Sequence, residues 1–168
     1  HLLKQYKLGQ FWKNDSKKWF NTKKIRDKQS PQILFIERCI QLLKDKGRMG
    51  IVLPDGIFGN SSDKYIWEYI KSECSILGVV SLAQETFQPS THTKTSVLFV
   101  KKARNQKKSV FMGIAENIGH NKNGKPLYET ESKTEFVLDK KGNKIVKDDL
   151  PTIALKFKEH LKDKKNNN

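Results

Sequence analysis

Two short polar segments of this sequence have residue types that suit ligand contact at the end of a strand. Asp55, preceded by Pro54, directly follows an apolar run, so it is expected to border a cleft if that run is a parallel strand. Thr91, Thr93 and Lys94 offer hydroxyl and ammonium groups suited to binding phosphate. Both segments have simpler explanations, because Asp-Gly also makes turns and Thr-rich loops are often only solvated. The chemistry depends on which elements position these residues.

Other kinds of site are disfavoured by residue spacing. Cys39 and Cys74 lie in apolar helical patterns, without a CxxC motif and without clustered histidines. They are expected to be reduced, buried thiols rather than metal ligands. His92 has no neighbouring carboxylate or nucleophile in the sequence. The sequence therefore predicts no metal site and no histidine-dependent catalysis.

The first regular element is a helix. Ser30 and Pro31 are typical of a helix start and Gly47 of a helix stop, so a helix is predicted over residues 31–46. Its apolar face includes Phe35 and Leu42, which makes it wide enough to be covered on more than one side.

Three strands follow in a pattern typical of an α/β domain. Residues 49–53 predict a strand buried on both faces, and residues 76–82 predict the next one. The helix between them begins near Ser61 or Ser62, and its inner face is formed by Tyr65, Ile66, Tyr69 and Ile70. A crossover of this length predicts a parallel pair. Residues 95–100 follow a short link without helical pattern, so this third strand is predicted to be antiparallel.

The flanking sequence predicts further organisation. The first 29 residues mix aromatic residues with Lys, and we expect the aromatic side chains to fix this segment to the core rather than to stack on bases. Strand candidates are residues 109–115 and 136–138, and a helix is predicted after Asp148, with Ile153, Phe157 and Leu161 on one face. The expected divisions are an irregular lead-in at 1–29, an α/β part at 30–104, an α+β extension at 105–162 and a disordered tail at 163–168.

The charge balance favours a polyanionic partner. The chain has 33 Lys and Arg against 18 Asp and Glu, a formal net charge of +15. This charge attracts DNA or RNA, although AT-rich coding alone can also produce a Lys excess. Because few of the cations are Arg, backbone contact is expected more than base reading. The sequence contains neither a membrane-spanning apolar run nor a signal-peptide pattern, so we expect a soluble, cytoplasmic protein without membrane contact.

Three segments in order resemble one known family. SPQILFIERCIQLLKDKGRMGIVLPDGIFGN, LAQETFQPSTHTKTSVLFVKK and FMGIAENIGHNKNGKPLYE, followed by DDLP, are similar to the adenine-specific DNA methyltransferase subunits of bacterial type I restriction-modification systems. This resemblance implies a partial doubly wound S-adenosylmethionine-dependent methyltransferase sheet, namely its back half with an antiparallel terminal hairpin. It also implies DNA as substrate, S-adenosylmethionine as cofactor of the intact protein, and specificity and restriction subunits as partners.

The resemblance assigns a role to one residue, and two motifs of the family are absent from the sequence. Phe87 matches the position where related enzymes place an aromatic ring against the flipped adenine. The Gly-rich cofactor turn and the Asn-Pro-Pro-Phe motif of the family are absent from this sequence. We therefore expect a fragment of the catalytic domain that has no catalytic or cofactor-binding residues and is inactive alone. The alternatives are a non-enzymatic basic nucleic-acid-binding module and a module that docks on a specificity subunit.

Overall fold

The structure is a computed structural model that describes residues 2–16, 18–103 and 109–163. The helices are α1 (Pro31–Leu42), α2 (Gly56–Gly59), α3 (Lys64–Glu73) and α4 (Leu150–Asp163). The strands are β1 (Gln10–Asn14), β2 (Trp19–Ile25), β3 (Arg48–Pro54), β4 (Ser75–Ser81), β5 (Thr95–Lys101) and β6 (Phe111–Ile114). Strands β1 and β2 form a two-stranded sheet, and the other strands form a four-stranded sheet in the order β3-β5-β4-β6. The architecture is α/β, as predicted.

Strand β5 runs antiparallel to both of its neighbours. The Asp55 amide, after the end of β3, donates to the Lys94 carbonyl before the start of β5 (3.0 Å). The Leu82 amide, after the end of β4, donates to the carbonyl of Thr95, the first residue of β5 (3.1 Å). The prediction of an antiparallel third strand is confirmed. The predicted parallel pairing of β3 with β4 is wrong, because β5 lies between these two strands, which run in the same direction.

The chain divides into two compact units. The first comprises His1–Ile51, Gly56–Leu77 and Leu98–Val110, and the second comprises Val52–Asp55, Gly78–Val97 and Phe111–Asn168. The segments of the two units interleave along the chain. Residues 164–168, in the predicted disordered tail, lie outside the described residues.

Helices α1 and α3 supply much of the core of the first unit. Their buried faces are formed by Ile33, Ile36 and Ile40 of α1 and by Tyr65, Ile66, Tyr69 and Ile70 of α3. The predicted inner face of α3 is thus confirmed. Helix α1 ends four residues earlier than predicted, because Leu43 is already extended and Lys46 adopts a turn with φ of 61°. Phe35 is 65% exposed and Leu42 is 76% exposed, so the predicted cover on a second side of α1 is wrong for the described residues.

Two further expectations for the first 55 residues are corrected. Residues 10–14 and 19–25 of the supposedly irregular lead-in form the ribbon β1–β2, whose register shifts between Gln10 and Trp12. This bulge interrupts the alternation by which a strand is recognised in sequence. Strand β3 is not buried on both faces, since Val52 is 48% exposed; among the described strands, β3 is at one edge of its sheet.

The second unit contains the parallel pair β4–β6. Gly78 aligns with Phe111, and the Phe111 ring packs against Phe157 of α4 at 5.2 Å between centroids. A Cβ on Gly78 would meet both Phe111 and Phe157 at 3.1 Å, so a larger residue there would have to displace these side chains by a few tenths of an ångström. The predicted strand at residues 136–138 appears only as isolated bridges, Phe136 with Thr130 and Leu138 with Lys144.

Candidate functional site

Two predicted site segments of the second unit, Pro54–Asp55 and Lys94, meet at one edge of the mixed sheet. Here β3 and β4 end and β5 begins, and we call this the carboxyl edge: residues 54–55, 82 and 94–96. The backbone bond from Asp55 to Lys94 joins two predicted site segments that are 39 positions apart in sequence. In α/β sheets, ligands bind outside the carboxyl ends of the strands, so the geometry suits a ligand site.

The carboxylate of Asp55 is fixed by a residue that the sequence did not single out. Ser96 is 5% exposed, and its hydroxyl donates to Oδ1 of Asp55 at 2.7 Å. Asp55 and Pro54 remain partly exposed. Ser96 is the second residue of β5 and follows Lys94 by two positions in the sequence. That spacing was the available signal for including Ser96.

The Lys94 side chain is fixed by a hydrogen bond to the backbone. Its ammonium group donates to the Leu82 carbonyl, and its side chain is partly buried. Next to it, the Thr95 hydroxyl is buried, and it has no hydrogen-bond partner in the part of the chain that the structure describes. An unsatisfied buried hydroxyl costs about 1–3 kcal/mol.

Phe87 lies on a loop that is ordered by its own hydrogen bonds. The Thr91 amide donates to the Phe87 carbonyl at 3.0 Å, and Gln84 Nε2 donates to the His92 carbonyl at 2.5 Å. The Phe87 side chain is nevertheless 40% exposed. A large apolar ring held toward solvent on an ordered loop suits contact with a flat partner such as a base.

Thr91 and Thr93 lie on the same loop and are exposed. Their hydroxyl oxygens are 3.0 Å apart, and the Thr93 amide donates to Thr91 Oγ1 at 3.2 Å. This local bonding leaves each hydroxyl with remaining capacity for a phosphate oxygen. The structure therefore brings Thr91 and Thr93 together and ties them to the Phe87 loop.

A cavity of about 430 Å³ also borders this loop, through Glu85. One wall is formed by Glu116 and Asn117, whose amides donate to Asp149 Oδ2 at 2.9 and 2.8 Å. These two hydrogen bonds lower the pKa of the Asp149 carboxyl, and the bond from the Asn117 amide has the larger effect. His120 lies in the wall too, and its Nδ1 is 2.9 Å from the Asn121 carbonyl. In the sequence, Asp149 belongs to the DDLP stretch before the last helix, and in the structure its carboxylate is a positioning group for this wall.

A cofactor or metal site would need donor groups that these residues do not supply. In the described ranges, no strand leads into a Gly-rich turn; β3 is followed by Asp55 and the short helix α2, which begins at Gly56 and ends at Gly59. The residues present therefore do not fit the dinucleotide-like cradle that holds S-adenosylmethionine in open α/β sheets. Over residues 2–16, 18–103 and 109–163, no cluster of three His, Cys, Asp or Glu side chains could hold a metal ion. Within those ranges, no helix combines the length and apolar character needed to cross a membrane.

Comparison with known proteins gives concordant matches. Residues 5–166 match the family described as N-6 DNA Methylase. The chain is 38% identical over 79 residues to the methylase subunit of the type I restriction enzyme EcoEI from Escherichia coli. That alignment covers 46% of this chain and 16% of the relative, so the chain spans only a small part of that protein.

Solved structures give weaker likenesses. A protein described as a class I S-adenosylmethionine-dependent methyltransferase from Listeria monocytogenes is 25% identical, with a TM-score of 0.47 over 54% of this chain and 29% of that one. The M protein of the type I restriction enzyme EcoKI is 24% identical, with a TM-score of 0.41 over 49% of this chain and 18% of that one. With TM-scores below 0.5, these likenesses do not establish a shared fold on their own.

Proposed function

Because this chain belongs to the N-6 DNA methylase family, we propose that it is part of an enzyme that methylates the N-6 amino group of adenine in DNA. The enzyme is the modification component of a type I restriction-modification system, in line with the EcoEI relative. The chain contributes the surface that receives the target base, and residues outside it contribute cofactor binding and catalysis.

The observation that supports this role best is the exposed Phe87 ring on an ordered loop beside the carboxyl edge. A methyltransferase must extrude its target base, because the amino group cannot be reached inside the duplex. An extruded base loses its stacking partners, and an aromatic side chain replaces them at about 1–3 kcal/mol per base. Phe87 stacks on the adenine in this proposal.

The neighbouring polar groups contact the DNA strand on either side of the base. Thr91 and Thr93 donate hydroxyl hydrogens to phosphate oxygens, since both are exposed and lie on the Phe87 loop. Lys94 adds positive charge near them while its ammonium group remains bonded to Leu82. Pro54 and Asp55 border the cleft, and Ser96 fixes the Asp55 carboxylate.

S-adenosylmethionine supplies the methyl group when it is bound in the intact enzyme. We assign the binding site of this cofactor to a part of the enzyme other than this chain; the support is that no described strand leads into a Gly-rich turn. The 168-residue chain alone is therefore expected to transfer no methyl group.

We also propose that the intact protein assembles with the specificity and restriction subunits of its system and acts in the cytoplasm. The support is the name of the EcoEI relative, a methylase subunit of a type I restriction enzyme.

Product analysis tests this function. The intact protein, with its partner subunits, is incubated with DNA and methyl-labelled S-adenosylmethionine, and the nucleosides of the digested DNA are separated. We expect the label in N-6-methyladenine and none with the 168-residue chain alone. Label on cytosine would contradict the adenine assignment, and DNA binding by the intact protein without methylation would favour the non-enzymatic alternative.

A further inference from the structure

The ribbon β1–β2 of the first unit has an inner face that is packed. The rings of Trp12 and Trp19 both lie 6.3 Å from Tyr65 of α3. Trp12 Nε1 also donates to the Lys7 carbonyl at 3.0 Å, and Asn21 Nδ2 donates to the same oxygen at 3.2 Å. These residues share one face of the ribbon, as the pairing of Trp12 with Asn21 shows. The expectation that aromatic residues fix this segment to the core is confirmed for this face.

The outer face of the ribbon carries different side chains. Lys13 pairs with Phe20 across the strands, and both are exposed, Phe20 by 45%. At the bulge, Phe11 is 37% exposed, with Lys24 Nζ at 5.9 Å from its ring centroid. Lys18 is exposed at the end of the ribbon. An open groove of about 440 Å³ lies along Phe11, Lys13 and Lys24. Two exposed aromatic rings thus alternate with cations on one surface.

The lysines of this surface outnumber the acidic residues of the ribbon sequence. Asp15 is the one acidic residue in the sequence from Gln10 to Ile25, which contains five lysines. No ion pair joins Lys13, Lys18 or Lys24 to a carboxylate within the described ranges. A surface with an excess of positive charge attracts a polyanion.

The side chains favour nucleic acid over an acidic protein as the polyanion. Lysine is depleted at protein–protein interfaces, because desolvating its ammonium group is costly. Nucleic-acid binding instead gains affinity from each lysine that releases a counterion from a phosphate. Exposed rings between the cations provide stacking surfaces for unpaired bases.

We propose that the outer face of ribbon β1–β2, formed by Phe11, Lys13, Lys18, Phe20 and Lys24, is a second DNA-binding surface. It contacts phosphates through the lysines and unpaired bases through the rings, without reading sequence. That the nucleic acid is DNA rests on the proposed function; the surface itself rests on the ribbon.

The lysine part is tested by the salt dependence of binding. The 168-residue chain with Lys13, Lys18 and Lys24 changed to Gln is compared with a control in which exposed Lys133, Lys140 and Lys141 are changed to Gln. Both variants lose the same charge. Fluorescence anisotropy with labelled duplex DNA gives the slope of log K against log salt. This slope is negative, and its magnitude is expected to decrease by about 0.9 for each phosphate that a lysine no longer neutralises. For the ribbon variant we therefore expect a decrease in magnitude of about 2–3, and for the control a decrease of less than about one.

The aromatic part is tested with single-stranded DNA. Phe20→Ala, which removes only an exposed ring, is expected to weaken binding at least about fivefold, with a smaller effect on duplex DNA. Circular dichroism and the midpoint of thermal unfolding verify that each variant folds. Equal slopes for the ribbon and control variants would overturn the lysine contacts, and an unchanged affinity of Phe20→Ala would overturn the stacking.

These outcomes are independent of the methylation assay. If the intact protein makes N-6-methyladenine while the ribbon variant keeps its salt slope, the ribbon proposal alone fails. If the intact protein transfers no methyl group while the salt dependence of DNA binding is weaker in the ribbon variant, the binding surface is supported and the proposed function fails.

Discussion

Glu37 is predicted to be the side chain whose loss most destabilises the first unit. Its side chain is 1% exposed, although it carries a carboxylate. Oε1 accepts the Lys7 amide at 2.8 Å and Gln41 Nε2 at 3.1 Å, and Oε2 accepts the Leu8 amide at 2.6 Å. Glu37 thus joins α1 to the segment that precedes ribbon β1–β2.

The expected cost follows from the two backbone amides. Glu37→Ala removes their acceptor and leaves both donors near a buried helix face, where each unsatisfied donor costs about 1–3 kcal/mol. Allowing for partial relaxation, we expect the free energy of unfolding to fall by about 3–5 kcal/mol, against a total of about 5–15 kcal/mol for a typical domain. Glu37→Gln is expected to lose roughly half as much, because its carbonyl can still accept one of the amides.

Urea unfolding followed by tryptophan fluorescence and circular dichroism measures these changes. The matched control is Glu131→Ala, since the Glu131 side chain is exposed and its replacement should change stability by less than about 0.5 kcal/mol. A Glu37→Ala variant within about 1 kcal/mol of the unmodified chain would refute the reasoning, because two buried unsatisfied amides cannot cost so little.

Two other predictions concern titratable groups. The pKa of Asp149 is lowered by bonds from the amides of Asn117 and Glu116, so its stabilising effect is complete above the ordinary aspartate pKa of about 3.9 and is lost as the pH falls through the lower folded value. Thermal unfolding should therefore give a lower midpoint for Asp149→Asn than for the unmodified chain at neutral pH and converging midpoints in acid; a difference that persists in strong acid would contradict this cause. Burial first, and then the charge of Glu73, raises the pKa of the Cys74 thiol to about 11, so about one molecule in a thousand carries its thiolate at pH 8. A thiol reagent should modify the partly exposed Cys39 well before the fully buried Cys74, and mass spectrometry showing the reverse order would disprove this.

Much of the α/β pattern could be predicted because its signals are local. The inner face of α3 follows from the spacing of Tyr65, Ile66, Tyr69 and Ile70, and the direction of β5 follows from the short link after β4. The lateral order of strands is different. No local pattern indicates that β5 lies between β3 and β4, since link length constrains direction and not the neighbour that a strand selects.

The missed features depend on non-local partners or on irregular backbone. Glu37 lies within the apolar pattern of α1, and its burial becomes understandable only when the Lys7 and Leu8 amides are in place. Ribbon β1–β2 was missed because three residues of β2, Thr22–Lys24, lie opposite the single residue Phe11, and because Lys23 has a positive φ of 62°; both disturb the alternation of side chains. Ser96 was missed for a similar reason, because its partner Asp55 is 41 positions away.

The most direct test of the proposed base site is the methylation rate of Phe87 variants in the intact enzyme. Phe136→Ala is the matched control, because Phe136 is 42% exposed and Phe87 is 40% exposed, and both lie in the second unit. If Phe87 stacks on the extruded adenine, Phe87→Ala should lower kcat/KM by about 5- to 150-fold, corresponding to about 1–3 kcal/mol of lost stacking. Phe87→Trp should retain most of the activity, and Phe136→Ala should be nearly unchanged. A Phe87→Ala enzyme with the kcat/KM of the unmodified protein would contradict the account.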